Sequence, residues 1–210
     1  MDYSTAIISG ALFGLFIAIS VGPTLFAVIR NSISYSYKAG LAFILGVSIS
    51  DILYVLVANL ATSALRFLEE HQKVIGISGS ILFIIIGMTG FFMKYKPKKN
   101  NKKRKEISLS KKTYFAILLS GFFMNTFNPA VTILWLGAVL QISKAQYNQT
   151  ESFLFFAVCL GIVLSADISK VFLAEKIRNW LTVRKIFYVN KISALIIFLF
   201  GVFLLIYQFY

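Results

Sequence analysis

The sequence predicts an all-α integral membrane protein: six transmembrane helices arranged as two inverted three-helix repeats. Three observations carry this reading. Hydrophobic residues make up 58% of the chain against 14% charged, with a mean hydropathy of +0.80, where soluble domains hold just under half apolar residues. Six continuous apolar stretches are each long enough to cross a bilayer, which takes about 20 residues in a helix. Of the 21 lysines and arginines, 17 fall in connecting segments on one side, the bias that sets membrane orientation.

The stretches lie at about 6–29, 40–62, 74–93, 113–140, 152–174 and 191–209. They are unbroken rather than alternating, so a β-barrel is excluded. The first has Asp2 and no basic residue before Arg30, so it lacks the n-region of a signal peptide and reads as a retained span. The basic segments run from Arg30 to Lys38, over 94–112, and over 175–191. The 94–112 segment holds ten Lys and Arg against Glu106 alone and reads as a solvated cytoplasmic linker. Both termini then face outside, as do the short segments 63–73 and 141–151. Trp135 and Tyr147 near the outer ends, and Trp180 and Tyr188 at the inner ends, suit the interfacial aromatic belts.

The linker separates three spans in 1–93 from three in 113–210. Three is odd, so the second set is inverted relative to the first, a plan common in secondary transporters. Short motifs recur in the same order. Ser20-Val21-Gly22-Pro23 in span 1 answers Thr126-Phe127-Asn128-Pro129 in span 4. Leu45-Gly46-Val47-Ser48-Ile49-Ser50-Asp51-Ile52 in span 2 answers Leu160 to Ile168, around Asp167, in span 5.

These motifs hold the candidate site. Proline removes a backbone donor and breaks a helix, which predicts that Pro23 frees the carbonyl of Ile19 and Pro129 that of Asn125. Irregular backbone within a bilayer survives only where protein or a watery cavity covers it, and Gly22 allows unwinding or close approach. Asn125 and Asn128 bring amides that need partners. Asp51 and Asp167 lie inside spans, where acids face the bundle interior and mark ion or substrate paths. A carboxyl held away from water is placed to take and release protons, as antiport requires, or to pair with a substrate ammonium. Asp51 has no charged neighbour on its own helix. Asp167 has Lys170 three residues on, the spacing of a structural ion pair, so a structural and a functional role both stand open for those two. Ser20 and Thr24 sit one turn apart, while Ser48, Ser50, Tyr54, Ser165 and Ser169 flank the acids; each alone also reads as helix-packing glue. The glycines of 76–90 read as close packing.

Other chemistries find little. Cys159 is the one cysteine and His71 the one histidine, so an intrachain disulfide, a cysteine metal cluster and a histidine triad are excluded, no metal site or cofactor is expected, and no enzyme motif occurs. The basic charge follows topology and not an aromatic-interleaved domain, which argues against nucleic acid. A scaffold has no need of paired broken helices with buried acids. Without an ATP-binding motif, an ion gradient is the energy source that remains.

In sequence, Gly22-Pro23, Arg30-Asn31-Ser32, Lys38-Ala39-Gly40, Gly46 and Asp51, followed by Gly121-Phe-Phe-Met-Asn125 with Asn128-Pro129, resemble the LysE-type (LysE/RhtB) family of small bacterial amino-acid exporters. The resemblance covers essentially the whole chain and is densest over 14–60 and 121–137. It implies a multi-pass protein of the bacterial plasma (inner) membrane. It also implies efflux of amino acids or related small metabolites, with protons as the exchanged ion and membrane lipids as surroundings; a homo-oligomer is compatible with the sequence. Many members carry a lysine after the asparagine-proline pair where this chain has Ala130, so no particular substrate is carried over. The competing reading is a cation or metal transporter of the same superfamily, in which acids and freed carbonyls would ligate a hard cation. The residues expected to bind substrate or couple it to an ion are Ser20, Gly22, Pro23, Asp51, Asn125, Asn128, Pro129, Asp167 and Lys170.

Overall fold

A computed structural model of the chain describes residues 3–20, 22–60, 71–92, 109–180 and 182–209. Most of the 94–112 linker and of segment 63–73 lies outside these residues. Among the described residues the protein is all helical: α1 (Tyr3–Ile19), α2 (Pro23–Ser34), α3 (Tyr37–Leu60), α4 (Gln72–Phe92), α5 (Lys111–Thr126), α6 (Pro129–Lys144), α7 (Gln149–Trp180) and α8 (Val183–Tyr207).

Three segments are long and apolar enough to cross a bilayer as single helices, Tyr37–Val57, Gln149–Ile177 and Arg184–Tyr207. The two proline-containing stretches are not single helices. α1 and α2 meet at 67° and α5 and α6 at 60°, so each crosses only if the bent pair is one span, giving up to five such spans among the described residues. The stretch expected at 74–93 is α4, Gln72–Phe92, of which the described apolar part is Gly76–Phe92. α7 outruns its expected span: its 32 residues make about 48 Å at 1.5 Å per residue, against about 30 Å of hydrocarbon. Large apolar side chains cover the outside, among them Leu12, Phe16, Ile19, Phe153 and Phe203, each more than 60% exposed. That surface suits lipid and not water.

Helix starts are made locally. Ser110 accepts from Thr113 N at 3.2 Å, Asn128 from Ala130 N at 3.1 Å and Thr182 from Lys185 N at 3.3 Å. At the start of α7, Asn148 and Glu151 each accept the other's backbone N–H at 2.9 Å, a reciprocal cap that satisfies two orphan donors.

The most extensive helix pairings are α4 with α8, α3 with α5 and α1 with α7. Glycines make each possible. A Cβ at Gly14 would lie 2.9 Å from the carbonyl oxygen of Cys159, and one at Gly201 would lie 2.8 Å from the nitrogen of Ile84. In the α3–α5 seam, Gly46 meets the backbone of Leu118 and Phe122 while Gly121 meets that of Phe43. Small residues let helix backbones approach where lipid supplies no hydrophobic drive between helices. The α4 glycines serve three neighbours: Gly87 meets Phe198 of α8, Gly79 the carbonyl of Phe127 at the α5–α6 break, and Gly90 the guanidinium of Arg30. One buried cluster, around Phe43, Phe83, Met124 and Val171, joins α2–α5, α7 and α8. A second, around Tyr54, Trp135, Phe155 and Cys159, joins α3, α6 and α7.

Candidate functional site

The two helix breaks and the two acidic helices meet around one cavity of about 60 Å³, space for roughly four or five waters. Ser20 and Thr24 reach it from the α1–α2 break, Asp51 from α3, Asn125 from the end of α5, Trp135 from α6, and Asp167 and Lys170 from α7. Apolar side chains such as Val47, Leu134 and Val163 complete its walls.

Asp51 is 6% exposed. Its Oδ1 accepts from Asn125 Nδ2 at 2.7 Å and from Trp135 Nε1 at 3.0 Å. Among the described residues Oδ2 takes no donor, which leaves one oxygen for a further partner. Hydrogen bonds to a charged group are among the stronger ones in a protein, and these two tie α3 to both arms of the second broken helix. Neighbouring hydroxyls reinforce that tie. Ser50 Oγ and Thr126 Oγ1 are 2.8 Å apart, and Tyr54 donates to the Thr126 carbonyl at 2.6 Å with Thr132 Oγ1 at 2.7 Å. On α7, Lys170 Nζ donates to Asp167 Oδ1 at 2.8 Å, so the ion pair expected from their spacing forms, at the cavity wall. Their side chains are 14% (Asp167) and 26% (Lys170) exposed.

The breaks differ in their chemistry. At the second, Asn128 is 3% exposed and caps α6 with its own side chain. The Asn125 carbonyl, expected to be free, accepts from Asn128 N at 3.1 Å; the chain turns tightly enough before Pro129 to reuse it. At the first break the N-cap position of α2 is Gly22, which provides no side-chain cap. Gly22 is extended, at φ −134° and ψ 178°, and a Cβ there would meet only Thr24 Oγ1 at 4.0 Å. Neither close approach nor backbone conformation therefore demands glycine, contrary to the expectation. Ser20 donates to the carbonyl of Ile17 at 2.7 Å, closing α1.

Of the nine expected residues, Ser20, Asp51, Asn125, Asp167 and Lys170 line the cavity. Gly22, Pro23 and Asn128 do not; they form the breaks that turn the chain beside it. Pro129 begins α6. Trp135 overturns an expectation: it is 3% exposed and bonded to Asp51, not placed in an interfacial belt. An indole N–H in an apolar run needs an acceptor, and that need was the available signal. Thr126 and Thr132 were likewise missed, because hydroxyls in spans are common and their partners lie far away in sequence. Among the described residues no three His, Cys, Asp or Glu groups converge as metal ligands would.

Compared with family models, residues 15–208 match the one described as LysE type translocator. No curated protein and no solved structure matches the chain.

Proposed function

The chain belongs to the LysE-type translocator family, and from that premise we propose that it is a secondary transporter exporting amino acids or related small metabolites in exchange for protons. The observation that carries this reading is the cavity at the meeting of both helix breaks, where Asp51 is buried among neutral donors. Asn125 and Trp135 hold its oxygen in place without neutralising it, so the carboxyl has geometry for binding and no fixed counter-ion. A structural acid would be expected to have its cation on hand.

The inverted-repeat plan supports the same reading. Exchange of the two halves maps span 1 onto 4, 2 onto 5 and 3 onto 6. Under it the α1–α7 pairing maps onto α5–α3, and α4–α8 onto itself, which are the three dominant pairings. Asp51 maps onto Asp167, and both line the cavity. With the basic segments inside, both termini face outward and the protein resides in the bacterial plasma membrane. The cavity is smaller than the few hundred Å³ of a ligand pocket, so loading requires the half-helices at the breaks to move.

The test is export from proteoliposomes loaded with labelled amino acids under an imposed pH gradient. Wild-type protein should export faster when the outside is made acid, protons entering as substrate leaves. Asp51→Asn keeps shape and polarity but removes the titrating group, so it should fold and lose gradient-driven export. Wild-type export by Asp51→Asn would show that the coupling group is elsewhere.

A further inference from the structure

Resting on that transporter reading, we propose that the cavity binds its substrate as a zwitterion held at two poles: Lys170, beside the α1–α2 break, receives the substrate carboxylate, and Asp51 receives its ammonium. In the absence of substrate, Asp167 stands in for the substrate carboxylate.

Among the described residues lining the cavity, Lys170 is the one cation, and the acids are Asp51 and Asp167. Lys170 reaches Asp167 across a single helical turn at 2.8 Å, a local contact that an ammonium on a flexible four-carbon stem can leave. Asp51 is fixed on Oδ1 by two neutral donors, with Oδ2 open to an ammonium. A buried zwitterion is tolerable only when both ends are matched; here Lys170, once it leaves Asp167, and Asp51 supply one group of each sign.

The departure from two-fold likeness points to the same pole. Three residues after Asp51 stands Tyr54; three residues after Asp167 stands Lys170. Tyr54 spends its hydroxyl on its own break, bonding the Thr126 carbonyl and the Thr132 hydroxyl. There the following half-helix is also capped, by Asn128. At the other break no side chain caps α2, and Ser20 and Thr24 open into the cavity with Lys170. One break is filled by the protein's own groups. The equivalent place at the other holds a cation, the Thr24 hydroxyl and an uncapped helix start, a set that suits a carboxylate.

The experiment is counterflow in proteoliposomes, using labelled leucine, lysine and phenylalanine. Each is competed by its unlabelled self and by the amine lacking the carboxylate: isopentylamine, cadaverine and phenethylamine. In wild-type protein the amine should compete about tenfold or more weakly than the amino acid, the scale of a lost charge-assisted hydrogen bond. In the charge-free pair Asp167→Asn with Lys170→Met, that ratio should fall to within about twofold, and Lys170→Arg should preserve it. Thr24→Val leaves the ion pair intact and should lower the ratio by about threefold, which decides the matter if the double variant does not fold. A wild-type ratio in the double variant, or in Thr24→Val where the double variant is lost, overturns the assignment and leaves amino-acid transport standing. Absence of counterflow for all three amino acids in wild-type protein would instead sink the transporter reading from which the assignment starts.

Discussion

Alanine at Gly121 should damage the site more than it damages the fold. A Cβ there would meet the Phe43 carbonyl group of α3, 3.0 Å from its carbon and 3.3 Å from the Phe43 Cα, with the oxygen closer still. These are backbone atoms, so no side chain can rotate away, and α3 and α5 must part by about 0.5 Å or more to restore ordinary contact distances. Overpacking of this kind costs about 1–3 kcal/mol. Replacing a helical glycine returns about 1 kcal/mol of propensity, so the net loss of stability is about 0–2 kcal/mol. Asn125 lies one turn beyond Gly121 on α5, and its bond to Asp51 is 2.7 Å. The same displacement carries that bond to about 3.2 Å, the far edge of the N–H···O range, and puts at risk about 1.5–3 kcal/mol of hydrogen bonding to a carboxylate. The assay pairs a thermal midpoint, read by size-exclusion chromatography of heated samples, with counterflow rate. Gly137→Ala is the control, since a Cβ there meets nothing within 4 Å and should be neutral or slightly stabilising. If Gly121→Ala matches that control in both midpoint and rate, the seam does not position the site and the reasoning fails.

Trp135→Phe keeps the ring in its cluster but removes the 3.0 Å bond to Asp51; we expect export to fall about tenfold with expression intact, and an unchanged rate would remove Trp135 from the site. Tyr54→Phe deletes a hydroxyl with two partners at 2.6 and 2.7 Å and should destabilise by about 1–3 kcal/mol, read as a lowered thermal midpoint. Asn128→Ala removes the cap of α6 and should cost about 1 kcal/mol, whereas Gly22→Ala removes no side-chain bond and should be milder; equal midpoints would contradict the asymmetry of the two breaks. Reporter fusions within 94–112 should read cytoplasmic and fusions after the last residue external, and a cytoplasmic C-terminus would defeat the inverted arrangement.

Hydropathy made the long helices legible because lipid imposes the same demand all along a span. The stretch expected at 40–62 is α3, Tyr37–Leu60, and that at 191–209 begins within α8, which ends at Tyr207. It missed where α7 ends, since backbone hydrogen bonding continues past the apolar run through Glu175 and Lys176 to Trp180. The prolines located both breaks, because a missing donor is a local property. They did not reveal which carbonyls would stay paired, as the reuse of the Asn125 carbonyl shows. Asp51 was conspicuous as an acid in hydrocarbon. Its partners at 125 and 135 were not, because they depend on how α5 and α6 pack against α3. Trp135 was misplaced for the same reason: its position near one end of an apolar stretch says nothing about which face of a bent helix it occupies.

The glycine seams bear on how such a protein is made. In each of the three dominant pairings, one helix precedes the 94–112 segment and its partner follows it. The first half therefore leaves the ribosome with the glycine surfaces of α1, α3 and α4 lacking their mates. At about 5–20 residues per second, synthesis of the remaining hundred or so residues takes roughly 5–20 s, during which those surfaces face lipid or the insertion machinery. Nascent first halves are then exposed to quality-control proteolysis until α5, α7 and α8 arrive in turn, and assembly proceeds by interleaving the two halves, not by docking two finished bundles. A chain severed within the 94–112 segment should accordingly accumulate only when both pieces are made in the same cell.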